Sequence, residues 1–289
     1  MSQQGLVERR GLDATEIHEI IQLAQLCNAY EGLDLKLNWN ILRHRPSDQL
    51  SDFLYYADDR LVGFLPLFSF SSQEGEVSGM VHPAYRRRGI FSALFEAACQ
   101  EARRRGLPSL LLIVEQASTA GQAFARHLST TYDHSEYKMI LEEPRLLTTT
   151  NDHLQFRPAR PSDIQIFTRI TAQAFNVPEN EVDWYTEQSF TEPDRRYYVG
   201  EIDGVVVGKI DVSLSEEASL ILGFAVSPEY QRRGYGRQIL THTVQEILKS
   251  GQQNIWLEVV TNNRQALSLY QSCGFKETGC YDYYRDLLS

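Results

Sequence analysis

The chain alternates short apolar runs with longer amphipathic stretches. In its C-terminal half the apolar runs predict strands at residues 154–158, 197–202, 205–213, 220–226 and 254–260, with a closing pair of strands up to residue 288. Apolar residues at helical spacing predict helices at residues 164–175, 237–248 and 264–272. The turn Asp203-Gly204 between two strands is typical of a tight hairpin. This order predicts an α/β fold, in which helices flank a mixed sheet.

The pattern occurs twice, at an offset of 145 positions. Gly89 and Gly234 are equivalent, because each follows an apolar run and precedes an amphipathic one. One register cannot hold by chance over so many elements. The same offset relates Val62-Gly63 to Val207-Gly208, residues 110–114 to 255–259 and, as the last strand of each repeat, residues 137–141 to 282–286.

The repeat predicts two tandem domains, residues 1–145 and 146–289, with a seam near residues 142–151. A length of 289 residues suits two domains of ordinary size, and a hydrophobic content of 42% is enough for two cores. We expect a monomer in which the two domains form a pseudo-dimer.

Charge and cysteine content narrow the class of protein. The net charge is −10, and both halves are acidic, which argues against a nucleic-acid or anionic-membrane partner and is compatible with a cationic amine. Cys27, Cys99, Cys273 and Cys280 have no metal-binding spacing, as expected for thiols in a reducing compartment. The first ten residues lack an apolar signal core, and no apolar run reaches membrane length. We therefore expect a cytoplasmic protein that uses no metal.

The sequence Gln-Arg-Arg-Gly-Tyr-Gly at residues 231–236 is the strongest candidate for binding chemistry. It lies between a predicted strand and a predicted helix. The first amides of a helix and its dipole favour an anion, and glycine lets a phosphate approach the backbone. The turn therefore predicts a phosphate site. The glycine pattern of a nucleotide-binding dehydrogenase fits poorly, because that pattern belongs near the first strand of its unit.

The turn forms part of a longer motif that resembles the Gcn5-related N-acetyltransferases (GNAT). The motif continues as Asn263-x-x-Ala266-x-x-Leu269-Tyr270 and Gly274-Phe275, and the resemblance covers residues 154–289. Residues 5–141 resemble the same family in a degenerate form. Two fused units look like the tandem arrangement of the mycothiol-synthase type, which is a likeness of architecture.

The resemblance implies acetyl-CoA as the donor. Its pyrophosphate would lie on the amides of residues 231–237, and its pantetheine arm between splayed strands 220–226 and 254–260, opened by a bulge. An oxyanion donor is expected at the backbone near Ala225 or Val226. The residues that the resemblance assigns to the donor are Ala225, Val226, Gln231, Arg232, Arg233, Gly234, Tyr235, Gly236, Arg237 and Asn263.

The resemblance also provides an acid and a base. Tyr270 would protonate the leaving thiolate, although it could instead be a helix residue that packs on the sheet. Glu258 matches the base of bacterial ribosomal-protein N-terminal acetyltransferases, and burial could raise its pKa toward neutrality. Glu258 could equally form a salt bridge or reach water at the strand end.

Other donor-site residues have ordinary structural explanations. Asn263 could hold the pantetheine amide, act as a helix N-cap, or do both. Arg232 and Arg233 could pair with phosphates or simply be solvated. Trp184 and Tyr185 lie in an acidic segment where the family builds its acceptor wall, but a surface helix with two half-buried aromatics fits them as well.

The first repeat has lost these candidates for acid and base. The 145-residue offset places Ala125 at Tyr270, Ile113 at Glu258, Ser118 at Asn263 and Phe91 at Gly236. Glu115 lies on the same strand face as Ile113 and could substitute as a base. A second CoA site remains possible at Arg86, Arg87, Arg88 and Gly89.

The sequence therefore predicts an acetyl-CoA-dependent N-acetyltransferase with its chemistry in the C-terminal domain. The acceptor would be a small-molecule amine or a peptide N-terminus. The alternative is a non-catalytic module that binds or senses CoA.

Overall fold

The computed structural model describes residues 4–45, 48–128, 130–145, 153–215 and 217–288. Most of the predicted seam falls on residues 146–152, outside the described residues. The chain divides into two compact units, residues 1–135 with 279–289 and residues 136–278. Each has its own hydrophobic core.

The first unit has an N-terminal helical layer and a sheet whose strands run in the order β1-β2-β3-β4-β6-β13, with β5 beside β3. Its helices are α1 (Ala14–Glu31), α2 (Trp39–His44), α3 (Ile90–Arg104) and α4 (Thr119–His127). Its strands are β1 (Gly5–Arg9), β2 (Asp52–Ala57), β3 (Arg60–Phe68), β4 (Gly75–Val77), β5 (Met80–Val81), β6 (Ser109–Glu115), the start of β7 (Thr131–Leu141), and the larger part of β13 (Phe275–Leu287).

The second unit repeats this plan, with strand order β7-β12-β11-β10-β9-β8. Its helices are α5 (Ile164–Phe175), α6 (Tyr235–Lys249) and α7 (Arg264–Ser272), and its further strands are β8 (Gln155–Pro158), β9 (Arg195–Ile202), β10 (Val205–Leu214), β11 (Ser219–Val226) and β12 (Ile255–Val260). Helices α3 and α6 begin and end 145 positions apart, as do α4 and α7. The predicted repeat and the mixed α/β fold are thus confirmed.

The last strands differ from the prediction. Residues 281–287 of β13 pair with β6 in the first unit, and residues 136–140 of β7 pair with β12 in the second. Each compact unit is therefore completed by the last strand of the other repeat. The closing segment is also one continuous strand, β13, rather than a pair of strands. The predicted domains, residues 1–145 and 146–289, describe the two sequence repeats, and this division stays a prediction.

The core of the second unit explains why its helices form where the pattern places them. Val207, Ile210 and Val212 of β10 are fully buried, and they pack in one cluster with Ile239 and Val244 of α6. Leu240, Val244 and Ile247 of α6, at spacings of four and three, thus bury one face against the sheet. No helix among the described residues is both long enough and apolar enough to span a bilayer.

The exchanged strands predict how fragments behave. Residues 136–278 should unfold in one cooperative thermal transition, because they contain all the strands of the second unit. Residues 146–289 should unfold less cooperatively and aggregate more. In that fragment β12 loses its five pairs with β7, and residues 279–287 have no strand to join. Circular dichroism melts of the two fragments test this. Equal cooperativity and equal Tm would contradict the exchange.

Candidate active site in the second unit

The parallel strands β11 and β12 pair over only three residues. Ser219, Leu220 and Ile221 lie opposite Ile255, Trp256 and Leu257, and the pairing then stops. The C-terminal parts of both strands are separate beyond this point. Backbone groups along this opening can bind an extended ligand. The splay predicted from the resemblance is therefore present in the structure.

A β-bulge lies at the same place. Lys209 faces Ala225 and Asp211 faces Leu222, so Ile210 is opposite two residues, Gly223 and Phe224. Gly223 has φ +54, which favours glycine. A bulge re-aims the backbone of its strand. This one directs part of β11 away from regular pairing just before Ala225 and Val226.

The glycine turn follows β11 directly. Arg232 and Gly234 both have positive φ, and α6 begins at Tyr235. The first amides of a helix have no acceptor within the helix, so those of Tyr235, Gly236 and Arg237 are available to an anion. Arg232, Arg233 and Gly234 are exposed at the turn. The turn therefore has the geometry of an anion site.

Four side chains at or beside the turn make contacts within the protein. Gln231 donates from Nε2 to the Val226 carbonyl at 3.0 Å, a role that the sequence did not indicate. Arg237 donates to the Ser272 carbonyl at 3.3 Å, so its side chain links α6 to the end of α7. Tyr235 packs near Tyr230. Arg233 lies over the same Tyr230 ring, 5.5 Å from its centroid.

Gly236 has space that the chain itself does not need. A Cβ there would meet Leu269, Phe224 and Val226 at 3.5 to 3.6 Å, which is ordinary contact. In the first repeat Phe91 occupies the equivalent position and packs edge-on against Phe124, with ring centroids 4.6 Å apart. A glycine that packing does not require is expected where a ligand approaches the helix start.

Tyr270 is buried on α7, with 7% of its surface exposed. Its ring lies 6.3 Å from that of Phe224 in the bulge and 6.0 Å from that of Phe275. Burial, together with the nearby Cys273 thiol, raises the pKa of Tyr270. The phenol therefore stays protonated near neutral pH, and it lies beside the opening as a possible proton donor.

Glu258 lies on β12 just beyond the last parallel pair. It is half-buried and stands opposite Lys138 of β7, whose ammonium group lies over the Trp256 ring at 4.8 Å. Its neighbours Leu257 and Val259 face the core beneath α6, so alternation places Glu258 on the other face of the sheet. The role of Glu258 as a base stays a prediction.

Asn263 is the N-cap of α7. Its side chain accepts a hydrogen bond from the Ala266 amide at 3.1 Å. Ser118, at the equivalent place in the first repeat, caps α4 by accepting from Gly121 at 3.1 Å. The capping role thus occurs in both repeats, and a contact with pantetheine stays a prediction.

The segment expected to form an acceptor wall is not a surface helix. Only residues 179–181 and 189–191 form short 3-10 turns. Trp184 is 48% exposed, whereas Tyr185 is 6% exposed and reaches into a cluster with Phe167. The surface-helix alternative is therefore wrong, and Tyr185 is buried rather than half-buried because its hydroxyl finds buried polar partners.

Those partners are two charged residues that the sequence analysis did not identify. The Tyr185 hydroxyl donates to Asp211 at 2.7 Å, and the Lys209 ammonium donates to both Tyr185 and Asp211. Burial lowers the pKa of Lys209 and raises that of Asp211, while their attraction opposes both shifts. The sequence did contain one signal for this pair, because two charged residues stand two positions apart in an otherwise apolar strand.

The last carbonyl of the strand accepts a side-chain hydrogen bond in both units, and Arg86 takes the place of Gln231 in the first. The Val81 carbonyl, equivalent to that of Val226, accepts from Arg86 at 3.1 Å and from the Cys27 thiol at 3.6 Å. Arg86 also pairs with Glu31 at 2.8 Å. Its side chain therefore points away from the turn that Gly89 begins.

Other candidates of the first unit are also engaged. Glu115 accepts from the Asp34 amide at 2.6 Å, so its carboxylate is held by a loop. Arg88 lies over the Tyr85 ring at 5.0 Å, as Arg233 does over Tyr230. Arg87 has positive φ, like Arg232. The turn keeps its backbone shape, and the parallel strands β4 and β6 beside it also pair over only three residues, up to Val77 and Leu112.

The fold and this site define a class of protein. The sequence profile of the Acetyltransferase (GNAT) family matches residues 16–129 and again residues 164–275. The chain therefore belongs to the Acetyltransferase (GNAT) family, with two copies of its domain.

Two sequence relatives and one solved structure illustrate the likeness. The chain is 47% identical over 62 residues to [Ribosomal protein bS18]-alanine N-acetyltransferase of Escherichia coli K12, a match covering 22% of this chain and 41% of that enzyme. It is 26% identical over 288 residues to mycothiol acetyltransferase of Mycolicibacterium smegmatis, covering 93% and 94% of the two chains. A GCN5-related N-acetyltransferase from Sphaerobacter thermophilus has the same fold, with TM-score 0.82, 16% identity, and coverage of 98% and 96%.

The N-cap gives a stability prediction for Asn263. Asn263→Ala should lower the free energy of unfolding by about 1 kcal/mol, because it removes the acceptor for the Ala266 amide. Asn263→Ser should keep most of that stability, since Ser118 makes the same cap in the first repeat. Urea unfolding of both variants measures the difference. Equal stability of Asn263→Ala and the parent protein would contradict a capping role.

Proposed function

We propose that this chain is an N-acetyltransferase that transfers an acetyl group from acetyl-CoA to a primary amine in its second unit. The observation that carries the proposal is the opening between β11 and β12, which leads directly into the exposed glycine turn. A thioester arm and a pyrophosphate need these two features side by side. The first unit has a similar turn and a similar end of parallel pairing, but Phe91 stands in place of Gly236, and Ala125 and Ile113 stand in place of Tyr270 and Glu258.

The residues present fit acetyl-CoA. The amides of residues 235–237 would take the pyrophosphate, and exposed Arg232 and Arg233 add positive charge beside it. Gly236 leaves room at the helix start. The backbone of Ala225 and Val226, displaced by the bulge, would provide hydrogen bonds at the thioester end. Bound acetyl-CoA would supply an activated acetyl group as a thioester.

The amine must lose a proton before it can attack, because an alkylammonium has a pKa of about 10. Glu258 is the proposed base, directly or through water, since it lies beside the opening on the face away from α6. Tyr270 is the proposed acid. Its phenol is protonated at neutral pH and lies beside the opening, and a departing thiolate needs only modest help because a thiol pKa is about 8.5.

The acceptor is proposed as a small-molecule amine or a peptide N-terminus. The names of the relatives indicate both kinds of acetyltransferase, one acting on alanine of a ribosomal protein and one linked to mycothiol. Exposed Trp184 and the acidic residues around it would suit a cation. Free cysteines, of which Cys27, Cys99 and Cys273 are buried, fit our proposal of a cytoplasmic protein.

Acetyl-CoA binding tests the donor site. Gly234→Asp should weaken binding at least tenfold, because it places a side chain and a negative charge at the proposed phosphate position, where φ is also positive. Gly89→Asp makes the same change in the first repeat and should leave the affinity of the second unit unchanged. Isothermal titration measures both. Unchanged affinity in Gly234→Asp would show that the pyrophosphate binds elsewhere.

Turnover tests the acid and the base. Tyr270→Phe and Glu258→Gln should each lower kcat by about 10²-fold or more, with little effect on acetyl-CoA affinity. Glu258→Gln should also remove the acidic limb of the pH–rate profile, because it removes the group that must lose its proton. CoA release with a panel of amines measures these rates. The doubly substituted protein should be inactive, and substantial turnover that disappears on Arg86 substitution would locate the chemistry in the first repeat.

A further inference from the structure

A buried polar network lies next to the β11 bulge. It consists of Lys209 and Asp211 on β10, Tyr185 on the acceptor-side segment, and Thr171 on α5. Lys209 is fully buried, and Asp211, Tyr185 and Thr171 are 4%, 6% and 2% exposed. The Lys209 ammonium lies 3.1 and 3.2 Å from the two Asp211 oxygens, and Thr171 donates to the Tyr185 hydroxyl at 3.3 Å. Three separate parts of the unit therefore meet at one ion pair.

The network contacts the bulge directly. A Cβ built on Gly223 would lie 2.3 Å from the Asp211 carboxylate and 2.8 Å from the Lys209 ammonium. Only glycine fits there, because the positive φ and the two charged groups both exclude a side chain. The bulge backbone and the ion pair are thus packed against each other.

The fold does not need this ion pair. In the first repeat the equivalent positions are Phe64 and Pro66, and Ser78 replaces Gly223. Phe64 is fully buried. It lies opposite Met80, and the equivalent residues Lys209 and Ala225 lie opposite each other in the second repeat. Across the described pairs, β3 with β4 and β5 keeps one register, and the first repeat has a break between β4 and β5 at Ser78 and Gly79 where the second has the bulge. Apolar residues therefore suffice for folding.

A buried pair also has an energetic cost. Removing two charges from water costs several kcal/mol per ion, and apolar residues of similar size are often equally stable or more so. The repeat with the network is also the one that keeps Glu258 and Tyr270. Sheet alternation places Lys209 and Asp211 on the face away from α6, the face on which Glu258 lies.

We propose that Lys209, Asp211 and Tyr185 are positioning residues, which fix the β11 bulge and anchor residues 182–186 beside the reacting amine. The proposal rests on the function proposed above. The network acts through the backbone of residues 223–226 and through Tyr185, and it touches neither acetyl group nor thiol. Its loss should therefore misplace the acceptor side of the site while the phosphate turn stays intact.

The test replaces the pair by apolar residues. Lys209→Met with Asp211→Leu should keep the Tm within a few degrees of the parent value or raise it. It should lower kcat at least tenfold and keep the acetyl-CoA Kd within twofold. A glutamate-specific protease should cleave residues 179–192 faster, because Tyr185 has lost its anchor. The matched control is Arg45→Met with Asp52→Leu, which removes a buried pair from the first unit and should leave kcat unchanged.

The proposal would be overturned if the double variant had the same kcat and the same protease resistance as the parent protein. The pair would then be a passive structural feature. If the double variant does not fold, Tyr185→Phe decides, since it removes only the hydroxyl that links the segment to Asp211. It should lower kcat and speed cleavage, and no change in either would contradict anchoring. If the parent protein acetylates no amine, the proposed function fails, and the protease result alone decides the positioning role.

Discussion

The candidate site depends on the early end of pairing between β11 and β12. After Ile221 and Leu257 the two parallel strands no longer pair, and the backbone of a buried strand must then find other partners. The bulge at Gly223 turns part of β11 out of regular pairing at the same level. An extended ligand with amide groups can fill such an opening. The glycine turn follows because β11 runs directly into it.

The two faces of the sheet divide the proposed chemistry. Tyr270 belongs to the core beneath α6 and α7, whereas Glu258 and the Lys209–Asp211 pair lie on the other face. A ligand in the opening between the strands would be reached from both sides. In the first repeat the parallel pairing of β4 with β6 also ends early, at Val77 and Leu112, but the side chains around it differ. The Cys27 thiol is an additional donor to the carbonyl of Val81, and Phe91 fills the place of Gly236.

Local features could be predicted well from the sequence. The bounds of α5 and α7, the glycine turn and the N-cap at Asn263 depend on neighbouring residues, and the structure agrees with them. Strand partners depend on distant residues. β7 and β13 are equivalent strands of the two repeats. The hydrophobic pattern therefore indicates which face of each strand is buried, but it does not indicate whether the strand joins the sheet of the first or the second unit. Their exchange between β6 and β12 therefore could not be predicted.

The charged network shows a second limit of prediction. Lys209 and Asp211 occur two positions apart in a strand, where charged residues usually face solvent. Their burial follows from α5 and from the Tyr185 segment, which pack on that face from distant parts of the chain. Only the comparison with Phe64 and Pro66 shows that the charges belong to one repeat.

Hydrogen exchange with and without acetyl-CoA tests the central claim most directly. If the opening of the second unit holds the donor, acetyl-CoA should slow exchange of backbone amides at residues 222–237 and 258–263. The equivalent residues 77–92 and 113–118 should change much less, because Phe91, packed on Phe124, takes the place of Gly236 at the helix start. Protection confined to residues 77–92 and 113–118 would contradict the account and place the donor in the first repeat.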